Sequence, residues 1–407
     1  MKKNLCIGLL ATLALTATAQ QTITVSVSNT SKSVRTDEPV VIPIAKYGDI
    51  RSALVTENGK EIACQLDDLD QNETFDELCF LADLKGKEQK QYTVTLYTEG
   101  EPRHYPARVF AEMLVRNDKV KEKNKHNNFL ESITVRGDCA NSYNIQHHHG
   151  VDFESELNGI RIYFDKRQTL DLYGKFLKRL ELEATQFYTT KAQKAEGYGD
   201  DVLWVGETFG LGTLRGWDGQ QPTMIKDVAH RGQRIVARGP LRTVVEVKDE
   251  GWKQSAGSTP VDMTTLYTLY AGRRDCRVDV SFSRAVPDLR FATGVINVKN
   301  SVEHSDHKGL RGCWGTDWPV SEKDSAGHKR ETVGLGICLP QENVSQELPA
   351  DKNNYPYVVS IPSDHLTYYI TFGSDNESFG MHSAKEWFAY LEEWKKSLAQ
   401  QVDMRLK

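Results

Sequence analysis

The sequence has no excess of positive charge and no long apolar segment after its N-terminus. Its 51 Lys and Arg residues are outnumbered by 56 Asp and Glu residues, giving a formal net charge of −5. A nucleic-acid-binding surface needs clustered Lys and Arg to replace phosphate counterions, and no such block occurs. No segment after residue 19 approaches the twenty apolar residues of a membrane-spanning helix. Binding to nucleic acid and insertion into a membrane are therefore both disfavoured.

Several catalytic motifs are also missing. There is no Gly-x-Ser-x-Gly, no Cys-x-x-Cys and no phosphate-binding loop, which argues against a serine esterase, a redox protein or a nucleotide enzyme. The cysteines after residue 19 show no zinc-like spacing. Cys64 and Cys79 are the closest pair for a disulfide, and buried thiols are the alternative.

The N-terminus has the pattern of a secretory signal peptide. Lys2 and Lys3 precede an apolar run over residues 5–17, and Ala17-Thr18-Ala19 is a small-x-small cleavage site. We therefore expect residues 1–19 to be removed and the mature protein to be periplasmic or secreted.

Alternating apolar and polar residues dominate the rest of the chain. Residues 23–27 and 276–282 alternate strictly, as strands with one buried face do, and Gly, Asp and Asn turns separate such runs. Strands without intervening helices predict an all-β fold of antiparallel sandwiches. A polar segment at 99–104 divides a small immunoglobulin-like β-sandwich over 20–104 from a large β-supersandwich over 105–407.

One amphipathic helix is predicted near the C-terminus. Ser383 and Glu386 have the spacing of a capping box. Trp387, Leu391 and Trp394 then follow at helical spacing, so we expect this helix to pack across a sheet.

The densest group of polar and aromatic residues lies between 143 and 175. On a strand, Arg161, Tyr163 and Asp165 would share one face, opposite Ile160 and Ile162. Arginine can bind a carboxylate bidentately, and tyrosine offers a hydroxyl and a ring, so this face suits an acidic sugar. The alternative is a solvated face with cross-strand ion pairs.

Three consecutive histidines precede this strand. His147 and His149 would share a face, with His148 pointing away, and His148 or His149 is a candidate general base. Glu154 or Glu156 nearby would also suit a divalent metal, but no third ligand is defined. No metal site and no cofactor are therefore predicted.

These residues fit two ways of cleaving a uronate-containing glycan. In β-elimination, Arg161 would neutralise the carboxylate, His148 or His149 would remove the C5 proton, and Tyr163 would protonate the leaving oxygen. Hydrolysis instead needs two carboxyl groups flanking the bond. Candidates for that pair are Glu154, Glu156, Asp200 and Asp201.

Aromatic residues outside this stretch are candidates for sugar stacking. Trp204 and Trp217 lie in a glycine-rich segment with acidic and basic residues, and Trp314 lies in a loop rich in His and Trp. Core packing is the alternative for each of them. The remaining predicted substrate-binding residues are Glu154, Asp165, Arg167, Tyr173, Asp218 and His230.

The residues from His148-His149-Gly150 through Arg161 to Lys175 resemble an exported bacterial family known as domain of unknown function 4861. The Trp-Asp-Gly at 217–219 and the Gly-Pro-Leu-Arg at 239–242 are similar to that family too. The resemblance covers most of the chain after residue 19. It implies a galactose-mutarotase-like supersandwich and an association with the utilisation of pectin and other uronate-containing polysaccharides. It assigns no catalytic role to any residue.

Together these features predict an exported carbohydrate-active enzyme acting on an acidic, pectin-like oligosaccharide or polysaccharide. β-Elimination is slightly favoured over hydrolysis. Two alternatives remain open, a non-catalytic glycan-binding protein and a sugar mutarotase or epimerase.

Overall fold

The computed structural model describes residues 20–122, 124–137 and 144–407. The predicted signal peptide and Cys139 lie outside the described residues. Within those ranges, no helix is long and apolar enough to cross a membrane.

The N-terminal unit is a small sandwich of two antiparallel sheets. Its strands are β1 Gln20–Ser28, β2 Arg35–Pro43, β3 Ser52–Glu57, β4 Lys60–Ile62, β5 Cys64–Asp67, β6 Glu77–Leu84 and β7 Gln89–Tyr97. One sheet contains β1, β7, β3 and β4, and the other has the order β2-β6-β5. Alternate apolar residues, such as Val25 on one sheet and Phe80 on the other, meet in one core.

The last strand of the chain belongs to this first sandwich. Strand β27, Asp403–Leu406, pairs antiparallel with β1, with Val25 opposite Leu406 and Val27 opposite Met404. Residues 403–406, far beyond the predicted boundary at 104, therefore lie in a sheet of the first sandwich. The first and last strands of the described residues are thus neighbours in one sheet.

The large unit contains three antiparallel sheets around one core. The strands of the first two sheets are β8 Val109–Glu112, β10 Gly150–Ser155, β11 Gly159–Tyr163, β12 Leu170–Gly174, β13 Asp200–Asp201, β14 Arg215–Trp217, β15 Pro222–Thr223, β20 Phe291–Ile296, β24 Val344–Glu347 and β25 Asn354–Val359. The third sheet consists of β9 Ser132–Arg136, β16 His230–Ala237, β17 Arg242–Trp252, β18 Val261–Tyr270, β19 Asp275–Phe282, β21 Val302–Ser305, β22 Leu310–Asp317, β23 Glu331–Cys338 and β26 His365–Ser374.

Two five-stranded sheets face one nine-stranded sheet. Their orders are β13-β12-β11-β10-β8, β15-β14-β20-β25-β24 and β21-β22-β23-β26-β19-β18-β17-β16-β9. Side chains from all three sheets, including Phe153, Val278 and Tyr357, form one hydrophobic cluster. The predicted all-β architecture, a large antiparallel supersandwich preceded by a small sandwich, is confirmed.

Helix is scarce in the described residues, as predicted. Two short helices, α1 Leu182–Thr185 and α2 Lys191–Ala195, lie between β12 and β13, and α3 spans Ala384–Ala399. The Ser383 side chain accepts a hydrogen bond from the Glu386 backbone N–H. The Glu386 carboxylate accepts instead from the His382 N–H, one residue before the position that a capping box requires.

Helix α3 packs closely on strands β22 and β23. Its buried residues Trp387, Leu391 and Trp394 form a cluster with Leu310 and Trp314. Close approach depends on glycines in the strands beneath the helix. A Cβ at Gly334, for example, would stand 2.5 Å from the Trp387 ring.

Buried polar contacts join the two sandwiches. Arg242 donates from Nε to Asp67 and from Nη2 to Glu77, each at 2.7 Å, across the boundary between the units. Arg108 makes a second connection, because it pairs with both Asp37 and Glu156. These contacts fix the small sandwich against the large one.

The described cysteines are all buried, unpaired thiols. Cys64 lies opposite Phe80 in the β5–β6 pair, whereas Cys79 lies opposite Gln65. Neighbouring residues on a strand point to opposite faces, so Cys64 and Cys79 do not form the disulfide considered from their spacing.

Candidate functional site

The sheet β13-β12-β11-β10-β8 has one apolar face and one charged face. Val151, Phe153 and Ile162 point into the main core. Asp152 and Arg161, one residue away from these, therefore point to the opposite face. Both of these charged residues are nevertheless buried.

Four charged residues form a straight line across this buried face. Asp171 on β12 pairs with Arg161 on β11, Arg161 pairs with Asp152 on β10, and Asp152 pairs with Glu112 on β8. We call these four residues the charged row. Each is at most 2% exposed, because the 182–190 segment packs over Arg161 and places the Phe187 ring 4.0 Å from its guanidinium.

At one end of the charged row, Arg161 is held by a compact network. Its Nη2 donates to Asp171 and, at 3.0 Å, to the Tyr163 hydroxyl, which donates in turn to Asp171 at 2.8 Å. Burial opposes the charge on Arg161, but Tyr163 and Asp171 outweigh burial and raise its pKa well above the usual value. Arg161 therefore stays charged. Its Nε and Nη1 have no hydrogen-bond partner within the described chain.

Asp201 connects this network to solvent. Its Oδ2 lies 3.4 Å from Arg161 Nη2, and its side chain is 24% exposed. Burial and the nearby Asp171 raise the pKa of Asp201 well above its usual value, although Arg161 opposes the shift. A carboxyl that holds its proton at the wall of a cavity is suited to general acid catalysis.

Two cavities lie over this part of the sheet. The larger has a volume of about 750 Å³, and Asp200, Asp201 and Tyr188 are among the residues that line it. The smaller, of about 460 Å³, is lined by His126, His147, His148 and His149 and again by Tyr188. Because Tyr188 borders both, the cavities form adjacent parts of one candidate site.

At the other end of the charged row, Glu112 and Asp152 meet His148. His148 Nε2 lies 3.7 Å from Glu112 Oε1 and 3.5 Å from Asp152 Oδ2. Burial, reinforced by Glu154, raises the pKa of Glu112 to about 8, and burial with Glu112 raises the pKa of Asp152 well above its usual value. Burial lowers the pKa of His148, so its imidazole is neutral.

Several of the residues predicted for the site lie together. Arg161 and Tyr163 are in contact, as their shared face predicts, and the His149 ring lies 6.4 Å from that of Tyr163. Asp165 follows the end of β11 and pairs with Arg167, whose guanidinium lies 4.6 Å from the Tyr163 ring.

Three predicted site residues have structural partners elsewhere. Glu154 is buried and accepts from Lys175 Nζ at 2.5 Å as well as from two backbone N–H groups. Glu156 binds Arg108 at the junction of the sandwiches. The buried Tyr173 hydroxyl lies 3.1 Å from Glu181 Oε2 and 2.9 Å from the Gly199 carbonyl oxygen, either of which can accept its single proton.

The predicted aromatic platforms do not converge on the cavities. Trp204 is 49% exposed and joins Trp318 through a backbone hydrogen bond, next to the Pro319 wall of the larger cavity. Trp217 ends β14 on another sheet, and Trp314 packs against Trp387 of helix α3.

The last two predicted residues lie at the surface, away from the described cavity walls. Asp218 accepts two backbone N–H bonds, from Gln220 and Gln221, each at 2.8 Å. It therefore shapes the turn after Trp217. His230, at the start of β16, faces Glu250 across the strand pair at 3.3 Å.

Sequence reasoning missed Glu112 and Asp152 and gave Asp171 no role. All three have apolar neighbours on their strands, which is the available signal: Glu112 ends Val-Phe-Ala-Glu, Asp152 lies between a valine and a phenylalanine, and Asp171 lies between two leucines. These residues meet because of the way in which their strands pair and the register of that pairing. That information is not local in the sequence.

A family model described as a domain of unknown function, DUF4861, matches residues 27–404. The chain belongs to the DUF4861 family. Two of the residues on which the resemblance was based, Arg161 on β11 and Asp171 on β12, belong to the charged row. Among curated proteins, none matches this DUF4861 chain in sequence.

Solved structures with a similar fold include a protein in the glycosyl hydrolase family 38 from Enterococcus faecalis. It aligns with a TM-score of 0.51 at 10% identity, over 95% of this chain and 47% of that one. An α-mannosidase from Enterococcus faecalis V583 gives a TM-score of 0.48 at 11% identity, over 95% of this chain and 46% of that one. The DUF4861 chain thus spans less than half the length of either protein, and the first likeness shows the fold alone.

Proposed function

We propose that this DUF4861 protein is an exported carbohydrate-active enzyme that cleaves a glycosidic bond in an acidic glycan. The observation that carries the proposal is Asp201, a carboxyl with a raised pKa at the wall of a cavity of about 750 Å³. Cleavage of a glycosidic bond requires protonation of the leaving oxygen, and a protonated carboxyl supplies that proton. The fold shared with a glycosyl hydrolase family 38 protein supports a carbohydrate substrate.

The residues that line the larger cavity favour hydrolysis. It requires a second carboxylate, and Asp200 and Glu122 line the same cavity as Asp201. Arg161 lies behind Asp201, with its side chain only 3% exposed. In this arrangement Arg161 positions Asp201 and tunes its pKa, and it does not itself touch the substrate.

The acidic character of the glycan is proposed from the cations around the two cavities. Lys125 lines the larger cavity and Lys121 lines the smaller one, where Arg116 is paired with Asp118. A uronate carboxylate would pair with such groups, as in other carboxylate-binding sites. A uronate-containing, pectin-like oligosaccharide is therefore the proposed substrate, and a periplasmic or secreted location agrees with the predicted signal peptide.

β-Elimination is the second candidate, and one contact favours it. Arg161 Nη2 lies 3.0 Å from the Tyr163 hydroxyl, and His149 lines the smaller cavity beside them. In this reaction His149 would take the C5 proton and Tyr163 would protonate the leaving oxygen, while the buried Arg161 would hold the Tyr163 hydroxyl in place from behind.

One experiment separates these reactions. The mature protein is incubated with pectic, arabinogalactan and ulvan-type oligosaccharides while reducing ends and absorbance near about 235 nm are followed, because unsaturated uronates formed after proton abstraction absorb there. Hydrolysis releases reducing ends alone, whereas elimination raises both signals. If none of the glycans yields a product, cleavage is contradicted, and glycan binding without catalysis becomes the remaining function. Conversion of monosaccharides without shortening of oligosaccharides would identify a mutarotase or epimerase.

The Asp201→Asn variant tests the role of the carboxyl directly. Asparagine keeps the size of the side chain but cannot donate the proton, so we expect kcat to fall about 10²- to 10⁴-fold. Asp288→Asn is the matched control, because Asp288 is a surface residue paired with Arg284. Equal activities of the two folded variants would rule out Asp201 as the acid.

A further inference from the structure

Neither Glu112 nor Asp152 forms an ion pair with a Lys or Arg among the described residues, although Arg161 lies beside Asp152 on the neighbouring strand. Arg161 contacts Asp171, and Lys175 contacts Glu154. Glu112 and Asp152 lie directly opposite each other in the β8–β10 pair, where two like charges destabilise a sheet. Both side chains are fully buried, so solvent does not screen them.

None of the polar side-chain atoms of this group has a hydrogen-bond partner in the described structure. This holds for both oxygens of Glu112, both oxygens of Asp152 and both nitrogens of His148. Buried polar atoms are almost always hydrogen-bonded, and a group of six such atoms at one point indicates a ligand that satisfies them.

From this geometry we infer that Glu112, His148 and Asp152 bind one divalent transition-metal ion of the zinc type. Ligand atoms of the three residues lie within 4.8 Å of one another. Two ligands at the usual zinc distances are roughly 3.3–3.5 Å apart around a tetrahedral ion. The separations of 3.7 and 3.5 Å from His148 Nε2 to the two carboxylates are close to that value.

Charge and ligand type support the same ion. Two carboxylates and one imidazole form a neutral group with a divalent cation, which full burial requires. An imidazole nitrogen favours zinc over calcium, which takes six to eight oxygen ligands. Three protein ligands leave a fourth position, and His148 borders the cavity of about 460 Å³.

The ion would also order the three consecutive histidines. His148 lies in the 3₁₀ turn directly before β10 and faces Glu112 of β8 at 3.7 Å, and His149 has a φ of 69°, in the left-handed region that few non-glycine residues adopt. A metal bond at His148 fixes this turn against both strands. It thereby positions His147 and His149 at the wall of the smaller cavity.

A second cluster of acidic residues differs from this buried group. Asp68, Asp70 and Asp76 also bring oxygens close together, but they lie in a loop and accept hydrogen bonds from backbone N–H groups. Loop geometry accounts for that group, so it carries no metal proposal.

The test begins with the mature protein purified without a metal-affinity tag. Its metal content is measured by mass spectrometry, the metal is removed with a chelator, and ZnCl₂, MnCl₂ or CaCl₂ is added during calorimetric titration and thermal unfolding. We expect about one Zn²⁺ per chain, a higher melting temperature with Zn²⁺ and little effect of Ca²⁺.

Variants assign the ligands. Glu112→Gln, Asp152→Asn and His148→Ala should each weaken Zn²⁺ binding more than about 100-fold, whereas Asp68→Asn should not change it. The rival explanation is that the two carboxyls share protons and bind no metal. In that case the chelated wild-type protein takes up neither Zn²⁺ nor Mn²⁺, and Glu112→Gln raises the melting temperature. Either result would overturn the proposal, and the wild-type titration decides even if a variant fails to fold.

Discussion

Arg161 controls two carboxyls of different character. It is in contact with the buried Asp171 and, at 3.4 Å, with the partly exposed Asp201. Its positive charge holds down the pKa of Asp201, which burial and Asp171 raise. The proton affinity of the residue at the cavity wall therefore depends on a side chain that the solvent hardly reaches.

This arrangement predicts a change in pH dependence for Arg161→Gln. A general acid works only while protonated, so activity falls as the pH rises through its pKa. Removing the positive charge raises the pKa of Asp201 further, and the descending limb of the kcat profile should move to higher pH. Arg161→Lys keeps the charge and should restore the limb towards its original position.

The stability of both variants must be measured, because a loss of folded protein would also lower the activity. Arg161→Gln leaves Asp171 buried without its charge partner, which costs about 3–5 kcal/mol. Circular dichroism and thermal unfolding therefore establish that each variant is folded at the assay temperature. An unchanged limb in folded Arg161→Gln would show that Arg161 does not tune the acid.

At the level of single residues, the sequence predicts side-chain direction well and partners poorly. Alternation along β11 correctly predicts that Arg161 and Tyr163 share a face, and they are in contact. The same alternation cannot show that Glu112, forty residues before Asp152, lies opposite it. Register between distant strands depends on the whole sheet, so the charged row emerges only in three dimensions.

At the level of elements, helix α3 shows how strands and helix are matched. The Trp387 ring lies directly above Gly334 on β23, where a Cβ would come within 2.5 Å of one ring carbon and 2.6 Å of another. A glycine in a strand weakens the strand but lets a bulky ring approach its backbone. The 3.6-residue period of α3 is predictable from the sequence. The glycines in the strands beneath the helix follow no recognisable pattern.

Gly334→Ala should therefore destabilise the protein by about 1–3 kcal/mol, because the rigid indole cannot move aside without disturbing its neighbours. Thermal or denaturant unfolding measures the change. Gly257→Ala is the matched control, since a Cβ there meets nothing within 4 Å. Equal stabilities of the two variants would mean that α3 does not rest tightly on β23.

At the scale of the whole molecule, the two sandwiches are joined by strand pairing as well as by ion pairs. Strand β27 brings the end of the chain back to β1, so the large unit begins and ends at the small one. Arg242, at the start of β17, adds a buried connection to Asp67 and Glu77. The pairing of β27 with β1 follows no local pattern in the sequence, because an edge strand such as β27 is short and weakly patterned.

The Arg242 connection predicts how the stability of the whole molecule depends on pH. Arg242→Met leaves Asp67 buried without its partner, and we expect a loss of about 3–5 kcal/mol near neutral pH. Burial already raises the pKa of Asp67, and Arg242 opposes that rise. In the variant the folded-state pKa is higher still, so protonation of Asp67 relieves the cost as the pH falls towards the unfolded-state value. The deficit should therefore be smaller at pH 5 than at pH 7.5.

The double variant Arg242→Met/Asp67→Asn separates the buried charge from the lost packing. A neutral asparagine removes the unpaired charge, so the double variant should recover most of the stability and lose the pH dependence of the deficit. Denaturant unfolding gives the free energy of unfolding of the wild type, the two single variants and the double variant at each pH. A deficit that is equal at the two pH values, and unchanged by Asp67→Asn, would show that Arg242 joins the sandwiches through packing of its aliphatic stem rather than through its charge.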